Sequence, residues 1–129
     1  VIATYAWTGK PGTAHSAAAK AGVWNLMKTL AVELAPLGIR ANCIAPGPTL
    51  TQGAADNLFP TPEIQGEMTA RIPLGRFTTL EDIVAAARFL LSDDASGITG
   101  DTLTLDGGLS LEQGMFRSGG SASAASRPR

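Results

Sequence analysis

Three side chains within the first twenty residues could do acid–base work together. Tyr5 is the only tyrosine of the chain. It stands where a short apolar run meets the loop Gly9-Lys10-Pro11-Gly12, the usual place for a functional group in an open α/β sheet. A phenol there can donate a hydrogen bond or a proton. Ser16 and Lys20 lie four residues apart, so a helix puts them on one face, one turn apart. Lys20 has Ala19, Ala21, Gly22 and Val23 around it and no carboxylate close in sequence. An ammonium held in such small, apolar company inside a cleft would lower the pKa of a neighbouring hydroxyl. On position alone each has a plainer reading: Tyr5 as a packing aromatic, Lys20 as a solvated helix lysine.

A second candidate is the stretch Pro46-Gly47-Pro48-Thr49-Leu50-Thr51, which directly follows an apolar run. Gly47 lets a flat ring approach the backbone. Thr49 and Thr51 offer hydroxyls and amides to a polar ligand. The plainer reading is a rigid turn. His15 is the only histidine, a poor start for a metal site without clustered carboxylates. It is adjacent to Ser16, but neighbours on a helix point to different faces, and no G-x-S-x-G elbow supports a hydrolase. Cys43 sits among apolar neighbours and reads as an inert core thiol, and Asp106 before Gly107-Gly108 reads as a turn.

The elements that must position these groups follow from pattern. Val1 to Tyr5 is short, apolar and β-branched, and is expected to be a strand end. Small and apolar residues at spacings of three and four predict a long helix from Thr13 to Ala35, stopped by Pro36 and Gly38. Ile39 to Ala45 reads as a buried strand that Pro46 ends. Thr49 to Pro60 reads as loop with a possible turn of helix. Pro62 to Arg71 reads as a short helix with proline first. Thr79 caps a helix Leu80 to Leu91, whose Leu80, Ile83, Val84, Ala87 and Leu91 form a stripe. Thr102 to Leu105 is the last strand. Three strands alternating with helices predict an α/β fold with a parallel sheet and crossover helices. A parallel sheet needs cover on both faces and usually more strands, so this resembles one flank of a larger sheet. Residues 1–113 form the expected domain, and the Ser-, Gly- and Ala-rich stretch 114–129 is expected to be a disordered tail.

Composition removes several classes. The chain has 129 residues, enough for one core. Its formal charge of −1 gives no reason to bind nucleic acid or an anionic membrane, and no apolar run would span a bilayer. Hydrophobic residues at 44% and charged residues at 16% exclude a disordered chain, and a single cysteine excludes a disulfide framework. Nothing at the start resembles a secretory signal, which makes the cytoplasm the default expectation, or the mitochondrial matrix if a presequence is missing.

Taken together, the motifs resemble the C-terminal half of a short-chain dehydrogenase/reductase. They are Ser16-Ala-Ala-Ala-Lys20-Ala-Gly-Val, the run from Leu30 to Gly47, Arg71-Ile-Pro-Leu-Gly-Arg76 and Gly100-Asp-Thr-Leu-Thr-Leu-Asp-Gly-Gly108, in the family's order and spacing over about residues 1–110. The resemblance implies the C-terminal part of a Rossmann-like, doubly wound parallel sheet. Most members carry Tyr-x-x-x-Lys on the long helix and a serine near the end of the strand before it. Here those places hold Ser16 and Ala3. The 2,4-dienoyl-CoA reductase branch shares the change. It has serine on the helix and its active tyrosine fifteen residues before the lysine, the separation of Tyr5 from Lys20.

The resemblance to that branch implies NADPH as cofactor and an acyl-CoA thioester as substrate. It gives Tyr5 the thioester oxygen, Lys20 the ribose hydroxyls, and Ser16 a supporting place in the same network. Pro46, Gly47, Pro48 and Thr49 would lie against the nicotinamide, with Thr51 close by. It also implies a homo-oligomer formed through the helix 13–35. Where the branch commonly offers an arginine to the coenzyme A phosphates, this chain has Asn57, and the loop around it has no basic residue. No G-x-x-x-G-x-G loop and no first βαβ unit occur, so the expectation is a fragment without its dinucleotide-binding half. Another short-chain reductase with a different substrate, or a non-catalytic dimerisation module, are the competing readings.

Overall fold

A computed structural model describes residues 1–112. The predicted tail 114–129 lies outside the described residues. The elements are α1 (Tyr5–Thr8), α2 (Ala14–Leu34), β1 (Cys43–Pro46), α3 (Gln52–Asn57), α4 (Pro62–Arg71), α5 (Leu80–Leu91) and β2 (Thr102–Leu105). β1 and β2 pair in parallel, with Cys43 opposite Thr102 and Pro46 opposite Leu105. A parallel pair needs a long crossover, and α3, α4 and α5 supply it.

Alternation along β1 builds the core on both sides of the sheet. Cys43 and Ala45 point one way and pack with Ile2, Trp24 and Met27. Ile44 points the other way and packs with Ala86, Leu90, Leu103 and Ile98. The sheet is thus a middle layer between α2 and α5. Ala45 is fully enclosed, which leaves that position no room for a larger side chain. Burial pushes the Cys43 thiol up from its ordinary pKa, so it stays protonated, in keeping with an inert core residue. Trp24 ties α2 to β2 directly: its indole N–H donates to the Thr102 hydroxyl at 3.0 Å.

Three expectations need correction. Val1–Tyr5 is not a strand. Ile2 N–H donates to the Ile44 carbonyl at 2.8 Å, but the chain then turns at Thr4 into α1, closed by Gly9 N–H on the Tyr5 carbonyl at 3.3 Å. Gly9, at φ +70°, ends that turn. The sheet of the described residues therefore has two strands, not three. The strand expected from Ile39 starts only at Cys43. Upstream, one backbone bond remains, Gly100 N–H on the Ala41 carbonyl at 2.8 Å, and side chains supply the rest: Arg40 donates to the Ser92 and Ile98 carbonyls, and Asn42 joins the Ile98 carbonyl and the Asp101 N–H.

The stripe of α5 is also displaced. Ala86 and Leu90 are buried, with Ile83 and Ala87 beside them, whereas Leu80, Val84 and Leu91 are exposed, Leu91 at 83%. Glu81, Asp82 and Arg88 share one side, and the apolar arc opposite is broad enough to hold two rows between which periodicity alone cannot choose. Its start is firmly set. The Thr79 hydroxyl accepts from Asp82 N–H at 3.1 Å, and the Asp82 carboxylate accepts from Thr79 N–H at 2.9 Å. Arg76 clamps the same carboxylate at 2.6 Å. Thr79→Ala removes the cap and should lower stability by about 1 kcal/mol. A urea titration should show this as a lower midpoint with an unchanged slope.

Candidate active site

The side chains singled out first are brought together by α1 folding back on α2. The Tyr5 hydroxyl lies 3.1 Å from Ser16 Oγ, and either group can donate. Lys20 is one turn further along α2, and its Nζ donates to the Val1 carbonyl at 3.4 Å. All three are half-buried. The local reason is chain geometry. Gly9 and Gly12 both have positive φ, and with Pro11 between them they reverse the chain sharply enough to lay four-residue α1 against the first turns of α2.

The second group forms a shelf at the end of the sheet. Gly47 N–H donates to the Leu105 carbonyl at 2.9 Å, continuing the ladder by one bond. The Pro48 carbonyl accepts from Thr78 N–H at 2.9 Å, and Thr49 pairs with Thr78 as a parallel bridge. Thr49 Oγ1 donates to the Gly47 carbonyl at 3.1 Å. Thr51 is exposed and caps α3, its hydroxyl accepting from Ala54 N–H at 3.3 Å. The structure thus gives Gly47 a reason beyond an approaching ring. A Cβ there would stand 2.6 Å from Asp106 Cα and 2.7 Å from Asp106 Cβ.

Asp106 was legible only as a turn residue, yet it is buried and holds the shelf from behind. Its carboxylate accepts from Gly108 N–H at 2.9 Å and Ser110 N–H at 2.7 Å. Burial pushes its pKa up, but these hydrogen bonds outweigh that and hold it below the ordinary 3.8. Gly107 beside it leaves no room for a Cβ, which would meet Ile72 Cγ2 at 2.6 Å. Thr78, at 7% exposure, was not legible at all, since one threonine in Phe77-Thr78-Thr79 carries no pattern.

A cleft of about 990 Å³ opens beside the shelf, lined by Trp7, Thr78, Leu105, Asp106, Gly107 and Phe89 among others. Trp7 comes from α1 and packs against Trp24 of α2, their ring centroids 5.4 Å apart. Tyr5, Ser16, Lys20 and the Pro46–Thr51 stretch do not line this cleft. Among the described residues no cluster could hold a metal ion, and no helix is long and apolar enough to cross a membrane.

Residues 1–110 match the family model described as enoyl-(acyl carrier protein) reductase. The chain belongs to the short-chain dehydrogenase/reductase family. A probable 2,4-dienoyl-CoA reductase of Bacillus subtilis is 53% identical over 109 residues, which are 84% of this chain and 43% of that protein. A 3beta-hydroxysteroid dehydrogenase of Eggerthella lenta is 48% identical over 105 residues, 81% of this chain and 40% of that one. Among solved structures, a putative NAD(P)-dependent gluconate 5-dehydrogenase of Beutenbergia cavernae with bound NADP superposes with a TM-score of 0.78. It is 41% identical and shares 84% of this chain and 43% of its own. The chain therefore spans less than half the length of these relatives. The family is one of oxidoreductases that use a nicotinamide dinucleotide, and the three-layer α/β arrangement described above is its Rossmann-like fold.

Two outcomes follow from the shelf. Gly47→Ala should cost about 1–3 kcal/mol, because the added methyl overlaps backbone that cannot give way; the unfolding midpoint in urea measures it. Asp106 has a depressed folded pKa, so the unfolded chain binds its proton more readily. Its stabilisation is present above pH 3.8 and lost as pH falls below that value. Asp106→Asn should be less stable than wild type at neutral pH, and the gap should close on acidification.

Proposed function

We propose that the protein reduces 2,4-dienoyl-CoA thioesters with NADPH, using these residues as the nicotinamide and acyl side of the site. The observation that carries this is the Tyr5–Ser16 contact at 3.1 Å, one helical turn from Lys20. The phenol comes from α1, fifteen residues before the lysine, while serine occupies the helix position four residues before it.

That displacement suits the chemistry. A ketone reductase must protonate an oxygen on the very carbon that takes hydride. A dienoyl thioester takes hydride at the far end of its conjugated system, and the negative charge collects on the thioester oxygen. A donor displaced from the helix suits that oxygen, and Tyr5 is such a donor. Ser16 orients the phenol. Preorganised donors of this kind lower the barrier because they need no reorganisation as charge develops.

The residues present fit one half of the dinucleotide. The Lys20 ammonium is the donor that a ribose diol needs, with the Ser16 hydroxyl one turn away in support, and the Pro46–Thr49 shelf is a flat, rigid wall for a ring. When bound, the dinucleotide supplies the hydride. The sequence carries no glycine-rich phosphate loop, so these residues do not account for the pyrophosphate. The Bacillus subtilis relative supports the dienoyl-CoA assignment. The hydroxysteroid dehydrogenase relative, and the lack of a basic residue around Asn57 to meet coenzyme A phosphates, favour a second reading: a reductase of another activated or carbonyl substrate. Exposed Val23 and Leu26, three residues apart on one face of α2, support self-association through this helix.

The test is NADPH oxidation by the complete gene product carrying this sequence, with a 2,4-dienoyl-CoA and, separately, a ketone panel. Tyr5→Phe should lower kcat with the dienoyl-CoA by about 10²–10³-fold, the usual effect of removing one oxyanion donor, with NADPH affinity unchanged. A Tyr5→Phe rate equal to wild type, or turnover of ketones alone, overturns the assignment.

A further inference from the structure

The shelf is closed by a ring of hydrogen bonds whose last link is a side chain. The Leu105 carbonyl, at the end of β2, accepts two donors. One is Gly47 N–H at 2.9 Å, and the other is the Thr78 hydroxyl at 2.5 Å. Thr78 also donates its N–H to the Pro48 carbonyl at 2.9 Å. Running from Leu105 to Gly47, along the chain to Pro48, across to Thr78 and back to Leu105, the circuit encloses the Gly47–Pro48 peptide. Pro48 has no N–H of its own, so only the carbonyl side of that residue can be held by backbone bonding. Three of the ring's links are backbone features that any residue at position 78 would keep. The fourth is the Thr78 hydroxyl.

We infer that Thr78 is a positioning residue for the nicotinamide: its hydroxyl fixes how far the Pro46–Thr49 shelf stands from the sheet, and so the distance of the shelf from the ring. The inference rests on the reading that this shelf faces the nicotinamide. The role is indirect, because the Thr78 hydroxyl is engaged by the Leu105 carbonyl and acts through the shelf. Its side chain is buried, so the hydroxyl has no water to replace the Leu105 carbonyl, and the bond is not idle. Residues 77–79 also lead straight into the capping box of α5, which anchors position 78 from the other side. The shelf is thereby referred to two rigid elements, β2 and α5.

The experiment compares Thr78→Val, which keeps the shape and deletes the hydroxyl, with Thr78→Ser, which keeps the hydroxyl, in the complete gene product. NADPH dissociation constants come from nucleotide fluorescence, independently of turnover, and steady-state kinetics separate the KM for NADPH from the KM for the dienoyl-CoA. Thr78→Val should weaken NADPH severalfold as the shelf shifts, raise the KM for NADPH alike and leave that for the acyl substrate unchanged. Thr78→Ser should stay near wild type. If Thr78→Val fails to fold, Thr78→Ala deletes the same hydroxyl and is read in the same way. Wild-type affinity in the hydroxyl-free variant with only a lower unfolding midpoint makes Thr78 a packing residue and overturns the inference. So does a serine variant as weak as the valine one. A wild-type protein that binds NADPH but does not reduce dienoyl-CoA sinks the substrate assignment alone, and the affinity comparison still decides the role of Thr78. A wild-type protein that binds no dinucleotide sinks both.

Discussion

The shelf of the candidate site is referred to the parallel pairing of β1 with β2. That pairing sets Pro46 opposite Leu105, and it brings the two chain exits so close that Gly47 meets the backbone of Asp106 with no space for a Cβ. The contact is short because both neighbours of the crossing are tied down. Leu105 accepts from the Gly47 amide, and the Asp106 carboxylate takes up the amides of the turn that follows. A buried carboxylate is costly unless its oxygens are hydrogen-bonded, and here two backbone N–H groups meet that need. Apolar packing on the two faces of the sheet holds β1 in place behind the crossing.

Two supports of different character meet at this edge. Lys20 and Ser16 stand on a helix of 21 residues. Tyr5 stands on a helix of 4 residues, held by its hydrogen bond to Ser16 and by the glycines after it. The polar groups therefore divide into a rigid pair and a third group attached to that pair. The shelf Pro46–Thr49 is independent of both, since its bonds go to β2 and to Thr78.

The helices were largely legible in the chain. The small-residue repeat of α2, the proline at the start of α4 and the Thr79 cap of α5 are local signals, and local signals survive without tertiary context. What was not legible depended on partners distant in sequence. Val1–Tyr5 has β-branched residues, but strand character needs a ladder of bonds to a neighbour, and the described residues give it one bond to Ile44. The choice between the two apolar rows of α5 is made by Ile44 and Leu103, which lie outside the helix. Residues 40–42 look like strand and are instead tied mainly by side chains to the turn at 98–101. At the site, the Tyr5, Ser16 and Lys20 set was visible through spacing and family likeness. Asp106 and Thr78 were not, because nothing in their immediate neighbours distinguishes a buried strut from an ordinary turn residue.

The division between a long helix and a short one has a consequence for how such a site would change over time. The covalent connection between Tyr5 and the lysine's helix is the stretch 9–13, a mostly exposed run outside any helix or strand. Gaining or losing a residue there would swing the phenol by several ångströms while Ser16, Lys20 and the shelf stayed where they are. A lineage could thus drift from one acceptor position on its substrate to another by trimming a hairpin, with no repacking of the interior. Novelty of that sort is cheap in mutational steps, and it falls on the one polar group of the three that does not stand on α2.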